Sequence, residues 1–168
     1  MLKIRPQFDV KSKEETRIAA LYATGLLDSP PSSTVNELVA GLAKHYGTKT
    51  AWVSLIDRRH VRLFSTCGID SNVEYYPESH APWLRSALRG RKLPVIVGDC
   101  RQHSAFKNSP YVLSGEVVFM AFIQFATKEG HTIGAVGIDD PEPCDGFTLQ
   151  DADHLVSSAR ELTSLLGI

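Results

Sequence analysis

The sequence predicts an α/β (α+β) domain with a largely antiparallel central sheet, terminal helices on one face, and loops with a short helix over the other. Three observations carry this. The stretch 117–143, VVFMAFIQFATKEGHTIGAVGIDDPEP, reads as two adjacent strands joined by the polar turn Thr127-Lys128-Glu129-Gly130. Both runs are apolar at nearly every position, the pattern of strands covered on both faces. Segments of helical periodicity lie at both ends of the chain, and an irregular stretch over 68–116 separates an early pair of strands from this late one.

Taken in order, Ser12-Lys13-Glu14-Glu15 has the form of a capping box and predicts a helix start, with Ile18, Leu21 and Tyr22 on one face and Gly25 as the stop. The segment from Leu26 to Pro31 turns the chain into a second helix. Thr34 and Glu37 form its expected cap pair, Val35, Leu38, Val39, Leu42 and Tyr46 its apolar stripe, and Gly47 its C-terminal cap. Strands follow over 50–56 and 61–66, separated by the charged turn Asp57-Arg58-Arg59-His60. A short helix over 82–88 ending at Gly90 and a buried strand over 93–97 interrupt the irregular stretch, whose length within a compact domain marks it as functional. After the late strands, Phe147-Thr148-Leu149-Gln150-Asp151 supplies a cap. Leu149, Ala152, Leu155, Val156, Ala159, Leu162, Leu165 and Leu166 then form a helical stripe. Asp139 and Asp140 are adjacent on a strand and so point to opposite faces, which favours a turn role ahead of Pro141 over a carboxylate pair.

Composition bounds the function. With 168 residues, 43% of them hydrophobic, residues 1–168 suit one domain with a sizeable core. A net charge of −1 from 18 basic and 19 acidic residues spread along the chain offers no footprint for nucleic acid or an anionic membrane. No apolar run approaches bilayer length and the first 15 residues are charged, so a cytoplasmic protein is expected. Cys67, Cys100 and Cys144 are too few and too widely spaced for a disulfide framework and are expected to be reduced. No metal site is expected from the six histidines, the nearest approach being Cys100 with His103. Nucleophile elbows and glycine-rich phosphate loops are absent.

Several segments resemble the GAF domain of bacterial signalling and sensor proteins. They are Glu15 to Leu21 followed by GLLDSPP at 25–31; AWVSLIDRRHVRLFSTCGID at 51–70; Ser104-Ala105-Phe106-Lys107-Asn108-Ser109-Pro110-Tyr111; and the late strand pair. The likeness covers nearly the whole chain. One stretch departs from it: Ser79-His80-Ala81-Pro82-Trp83 stands where relatives with this N-terminal signature often carry Ser-x-Cys-x-His.

The resemblance implies a small-molecule-binding regulatory module, coupled to an output domain or partner and homodimeric through its terminal helices. The ligand is unidentified, and no cofactor can be named. Carried onto this chain, the ligand cavity lies between sheet and roof and would be lined by Phe64, Thr66, Ser79, His80, Trp83, Asp99, Arg101, Phe106, Tyr111, Phe119 and Ala121. A cyclic nucleotide is disfavoured because Lys107-Asn108 reverses the order such domains carry and no Asp-Glu pair follows. A covalent bilin is disfavoured because no cysteine precedes a histidine. Two alternatives stay open: a dimerisation module without a ligand, and a free methionine-R-sulfoxide reductase, for which Cys100 beside Arg101 is the candidate thiol.

Overall fold

The computed structural model describes residues 8–70, 72–88 and 92–168. Strand β1 (Thr50–Ile56) is buried along its whole length, yet it serves two cores. Ala51, Val53 and Leu55 enter one apolar cluster, while Trp52 and Ile56 enter another, because successive side chains leave a strand on opposite faces. The same partition runs through β5 (Phe119–Ala126), where Phe119, Ala121, Ile123 and Phe125 face one way and Met120 and Phe122 the other.

With β2 (His60–Cys67), β3 (Tyr75–Pro77), β4 (Val95–Val97) and β6 (Thr132–Asp140), these strands form an open six-stranded sheet in the order β3-β2-β1-β6-β5-β4. Every neighbouring pair is antiparallel. A bulge in the β1/β2 pairing lets Val53 face Ser65 and Ser54 face Leu63, so Phe64 is the extra residue.

Helices α1 (Phe8–Ala23), α2 (Ser33–Tyr46) and α5 (Leu149–Leu166) cover one face. Leu21, Val35, Val39, Leu42, Leu155, Ala159 and Leu162 are buried against it; each such leucine or valine is worth roughly 1.5–3 kcal/mol relative to exposure. Two buried guanidinium groups fasten the N-terminal segment to the sheet. Arg17 donates to the Ile56 carbonyl at 2.7 Å and pairs with Glu14. Arg62 donates to the carbonyls of Leu26, Leu27 and Ser29 at 2.6, 2.9 and 3.0 Å and pairs with Glu74.

Several sequence expectations shift. Helix α1 begins at Phe8, so Ser12 lies inside it rather than capping it, and its carbonyl accepts the Thr16 hydroxyl. Ser32, not Thr34, caps α2, accepting from the Val35 amide, while Gly47 adopts φ 65° at the other end as expected. Tyr22 is exposed because it faces away from the sheet, and Leu149 is 88% exposed because it precedes the turn at which α5 reaches the sheet. The buried strand expected over 93–97 is only the short sheet edge β4, in which Ile96 is exposed, and Leu93 lies exposed ahead of it. The Thr148–Asp151 capping box forms, each residue's side chain taking the other's backbone N–H. The expected stop at Gly90 and the first seven residues lie outside the described residues. No described helix is long and apolar enough to cross a membrane.

Candidate functional site

The sheet face opposite the helices is roofed by the β2–β3 connection, α3 (Pro82–Ala87) and α4 (Pro110–Leu113), and beneath them lies a cavity of about 440 Å³. Its floor comes from roof-facing strand positions: Trp52 of β1, Leu63 of β2, Met120 of β5 and Asp139 of β6. Trp83 and Tyr111 close it from the roof, and Tyr76 of the edge strand β3 closes it at the side. Gly137 makes the floor possible. It pairs with both Trp52 and Phe122, and a Cβ there would lie 2.6 Å from Trp52 Cζ2 and 2.8 Å from Phe122 Cβ. Without a side chain at that point the indole lies flat across the strand. In the roof, Trp83 stacks on Phe106 with ring centroids 4.9 Å apart, and Tyr111 meets Tyr76 of β3 edge to face at 5.9 Å.

Asp139 gives the cavity its charge. Its residue is 6% exposed, one carboxylate oxygen accepts from Trp52 Nε1 at 2.8 Å, and the other accepts from the Thr50 hydroxyl. Burial raises its pKa above the ordinary aspartate value. The hydrogen bonds from Thr50 and Trp52 oppose that rise, Asp140 adds to it, and Lys49 opposes it. Burial also raises the Tyr76 hydroxyl far above its usual value, so the phenol is neutral. Asp70, Glu116 and Lys49 are exposed residues on the cavity wall, so that among the described residues acidic groups outnumber basic ones there. Cys100 lies fully buried in the same roof-side cluster. Burial, and then the charges of Asp139 and Asp99, push its thiol up to about 12. Among the described residues no three His, Cys, Asp or Glu side chains converge as a metal site.

No family model matches the sequence, and no curated protein does. Solved structures do. The free methionine-R-sulfoxide reductase of Neisseria meningitidis, solved in complex with its substrate, superposes with a TM-score of 0.64 at 17% identity, over 92% of this chain and 90% of that one. The GAF domain of an Acinetobacter phosphoenolpyruvate-protein phosphotransferase gives 0.64 at 14% identity, over 90% and 93%. The GAF region of a Geobacter sulfurreducens membrane protein gives 0.63 at 15% identity, over 79% and 89%. The fold is GAF-like.

Within this GAF-like frame, Trp83 and Tyr111 of the expected residues line the cavity. Phe106 is buried one layer behind, against Trp83 and against His103 at 4.7 Å. His80 packs its ring edge-on to Tyr111 at 5.9 Å, and its carbonyl accepts the Ser109 hydroxyl; Ser79 beside it is exposed. Thr66 pairs with Trp52 on the roof face but stands outside the lining. Asp99 caps the turn at Cys100–Gln102 and accepts from the Arg101 guanidinium at 2.7 and 2.9 Å, away from the cavity.

Phe64, Phe119 and Ala121 do not face the roof: all three belong to the helix-side cluster. For Phe119 and Ala121 the reason is strand parity, since a shift of one residue moves a side chain to the other face, and Met120 lies in the cavity between them. For Phe64 the reason is the bulge, which sends it and Ser65 toward α2, where the Ser65 hydroxyl reaches Asn36 at 2.6 Å.

Sequence reasoning missed Trp52, Tyr76 and Asp139. One signal was available for Asp139: it is the first charged residue to end an apolar strand, two positions from Gly137 on the same face. The expected aid from Arg101 to a Cys100 thiolate is also absent, because that guanidinium is committed to Asp99 and the thiol is held protonated. Cys67 and Cys144 pack on the helix-side cluster, across the sheet from Cys100.

Proposed function

We propose that the protein is a single regulatory domain that binds a small molecule in the roofed cavity and passes its occupancy to a partner or output domain. The observation that carries the reading is the cavity itself. Its volume falls in the small-ligand range, its walls are aromatic and apolar, and a few polar groups converge at one end. On this reading the protein is cytoplasmic, acts without catalysis, and works as a homodimer through its helical layer. That layer supports the dimer by leaving Tyr22, Leu149 and Leu165 exposed on α1 and α5. Closure of the roof on a ligand would act through β1 and β6, which carry cavity residues on one face and helix contacts on the other.

The likeness to the Neisseria reductase favours a second reading, thiol-dependent reduction of a free amino-acid sulfoxide. The cysteines argue against it. A nucleophile must be a thiolate with a resolving partner in reach, whereas Cys100 is protonated and buried and the other two cysteines lie across the sheet. Thermal melts over a metabolite panel test the proposal, because a ligand at about a hundred times its Kd adds roughly 2.7 kcal/mol. A stabilising ligand that is recovered unchanged supports it. Turnover of methionine sulfoxide that is lost in Cys100→Ser would replace it with the reductase, and the absence of any stabilising ligand would leave the dimerisation module.

A further inference from the structure

The chemistry of the cavity is one-sided. Asp139 is its one deeply buried charged group among the described residues, and the hydrogen bonds from Thr50 and Trp52 occupy only part of what a carboxylate can accept. Trp52, Trp83, Tyr76 and Tyr111 surround the same space, and ring faces carry negative charge density. The Trp52 N–H, the positive edge of that ring, is turned onto Asp139. Among the described residues, Asp70 and Glu116 add negative charge at the wall against the single Lys49. An anionic ligand would meet three carboxylates, and a neutral one would leave the buried carboxylate without a counter-charge.

We infer that the cavity takes a small organic cation, an ammonium or quaternary ammonium compound whose charged head seats against Asp139 among the four aromatic rings. This rests on the small-molecule reading and narrows it to one ligand class. Each feature has a role: the carboxylate supplies the counter-charge, the rings replace part of the cation's hydration shell, and Leu63 and Met120 accept its apolar body. Lys49, an exposed residue, can remain in water at the wall.

The chain holds only two tryptophans, Trp52 and Trp83, and both line the cavity, so tryptophan emission, excited selectively over tyrosine, reports on this site alone. The probes are choline and its uncharged isostere 3,3-dimethylbutan-1-ol, titrated by fluorescence and calorimetry against the unmodified protein. Choline is expected to bind about tenfold or more tightly than the isostere. In Asp139→Asn, choline is expected to fall to the affinity of the isostere, whose own binding barely changes. Val73→Tyr, at an exposed position of the cavity wall, is expected to weaken both probes. The inference is overturned if the alcohol binds as tightly as choline, if Asp139→Asn keeps the preference, or if neither probe alters the fluorescence. The comparison on unmodified protein stands even if a variant fails to fold. If choline fails while a neutral or anionic metabolite stabilises the protein, the cation assignment falls and the small-molecule reading survives; if nothing stabilises it, both fall.

Discussion

A single added methyl group separates the crowded floor of the cavity from the open surface of the helices. At Gly137 the new Cβ would lie 2.6 Å from Trp52 Cζ2 and 2.8 Å from both Trp52 Cη2 and Phe122 Cβ. The indole cannot retreat freely, because its N–H is held by Asp139, and Phe122 Cβ is fixed to a paired strand. Overpacking of this kind costs about 1–3 kcal/mol, and a domain of 168 residues loses about 2–4 °C of Tm per kcal/mol. For Gly137→Ala the expectation is therefore a Tm lower by roughly 4–8 °C, from a loss of about 2 kcal/mol, with a shifted tryptophan emission. The same change at Gly41, exposed within α2 and with nothing within 4 Å of its would-be Cβ, is expected to stabilise by about 0.5–1 kcal/mol through helix propensity. Calorimetric melts of the two variants decide the matter. A Gly137→Ala protein that melts at or above the parent, with unchanged emission, would refute the account of the floor.

Further expectations follow from particular side chains. Because burial raises the Asp139 pKa in the folded state, this group's stabilisation is full below the unfolded carboxyl pKa and declines as pH rises through the folded one. Asp139→Asn should remove that part of the slope, so denaturant titrations giving parallel pH profiles for parent and variant would contradict the assignment. Arg62→Met leaves three backbone carbonyls and Glu74 without their shared donor and should cost about 3–5 kcal/mol in urea unfolding, whereas a loss below about 1 kcal/mol would mean the clamp is incidental. In the native protein, iodoacetamide should label Cys67 and Cys144 well before Cys100, which is fully buried with its thiol pushed up to about 12; mass mapping that finds Cys100 modified first would revive the thiol chemistry. Thr148→Ala removes half of the α5 capping box and should cost about 1 kcal/mol, measured by chemical denaturation.

Secondary structure was legible wherever a local pattern had a local cause. The bounds of β1 matched the sequence expectation, and Gly47 and Thr148 ended and began their helices as read, because a left-handed cap and a reciprocal capping box involve only neighbours in the chain. Ser12 misled because its motif is equally compatible with a helix already under way, and Tyr22 and Leu149 misled because helical spacing names a face without saying what covers its ends. In the strands, unbroken apolar runs announced two covered faces but erased the alternation that would have told them apart, and so Phe119 and Ala121 were expected where Met120 lies.

The sequence by itself determined the fold class, the two layers flanking the sheet and the roof segments that contribute Trp83 and Tyr111, since these depend on periodicity, caps and segment order. Only the tertiary structure decided which strand residues face the cavity, that a bulge turns Phe64 away from it, and that Asp139 meets Trp52 and Thr50 beneath the roof. The physical reason is that a strand's face is fixed by its register with neighbours distant in the chain, and a carboxylate's character by what those neighbours bury around it.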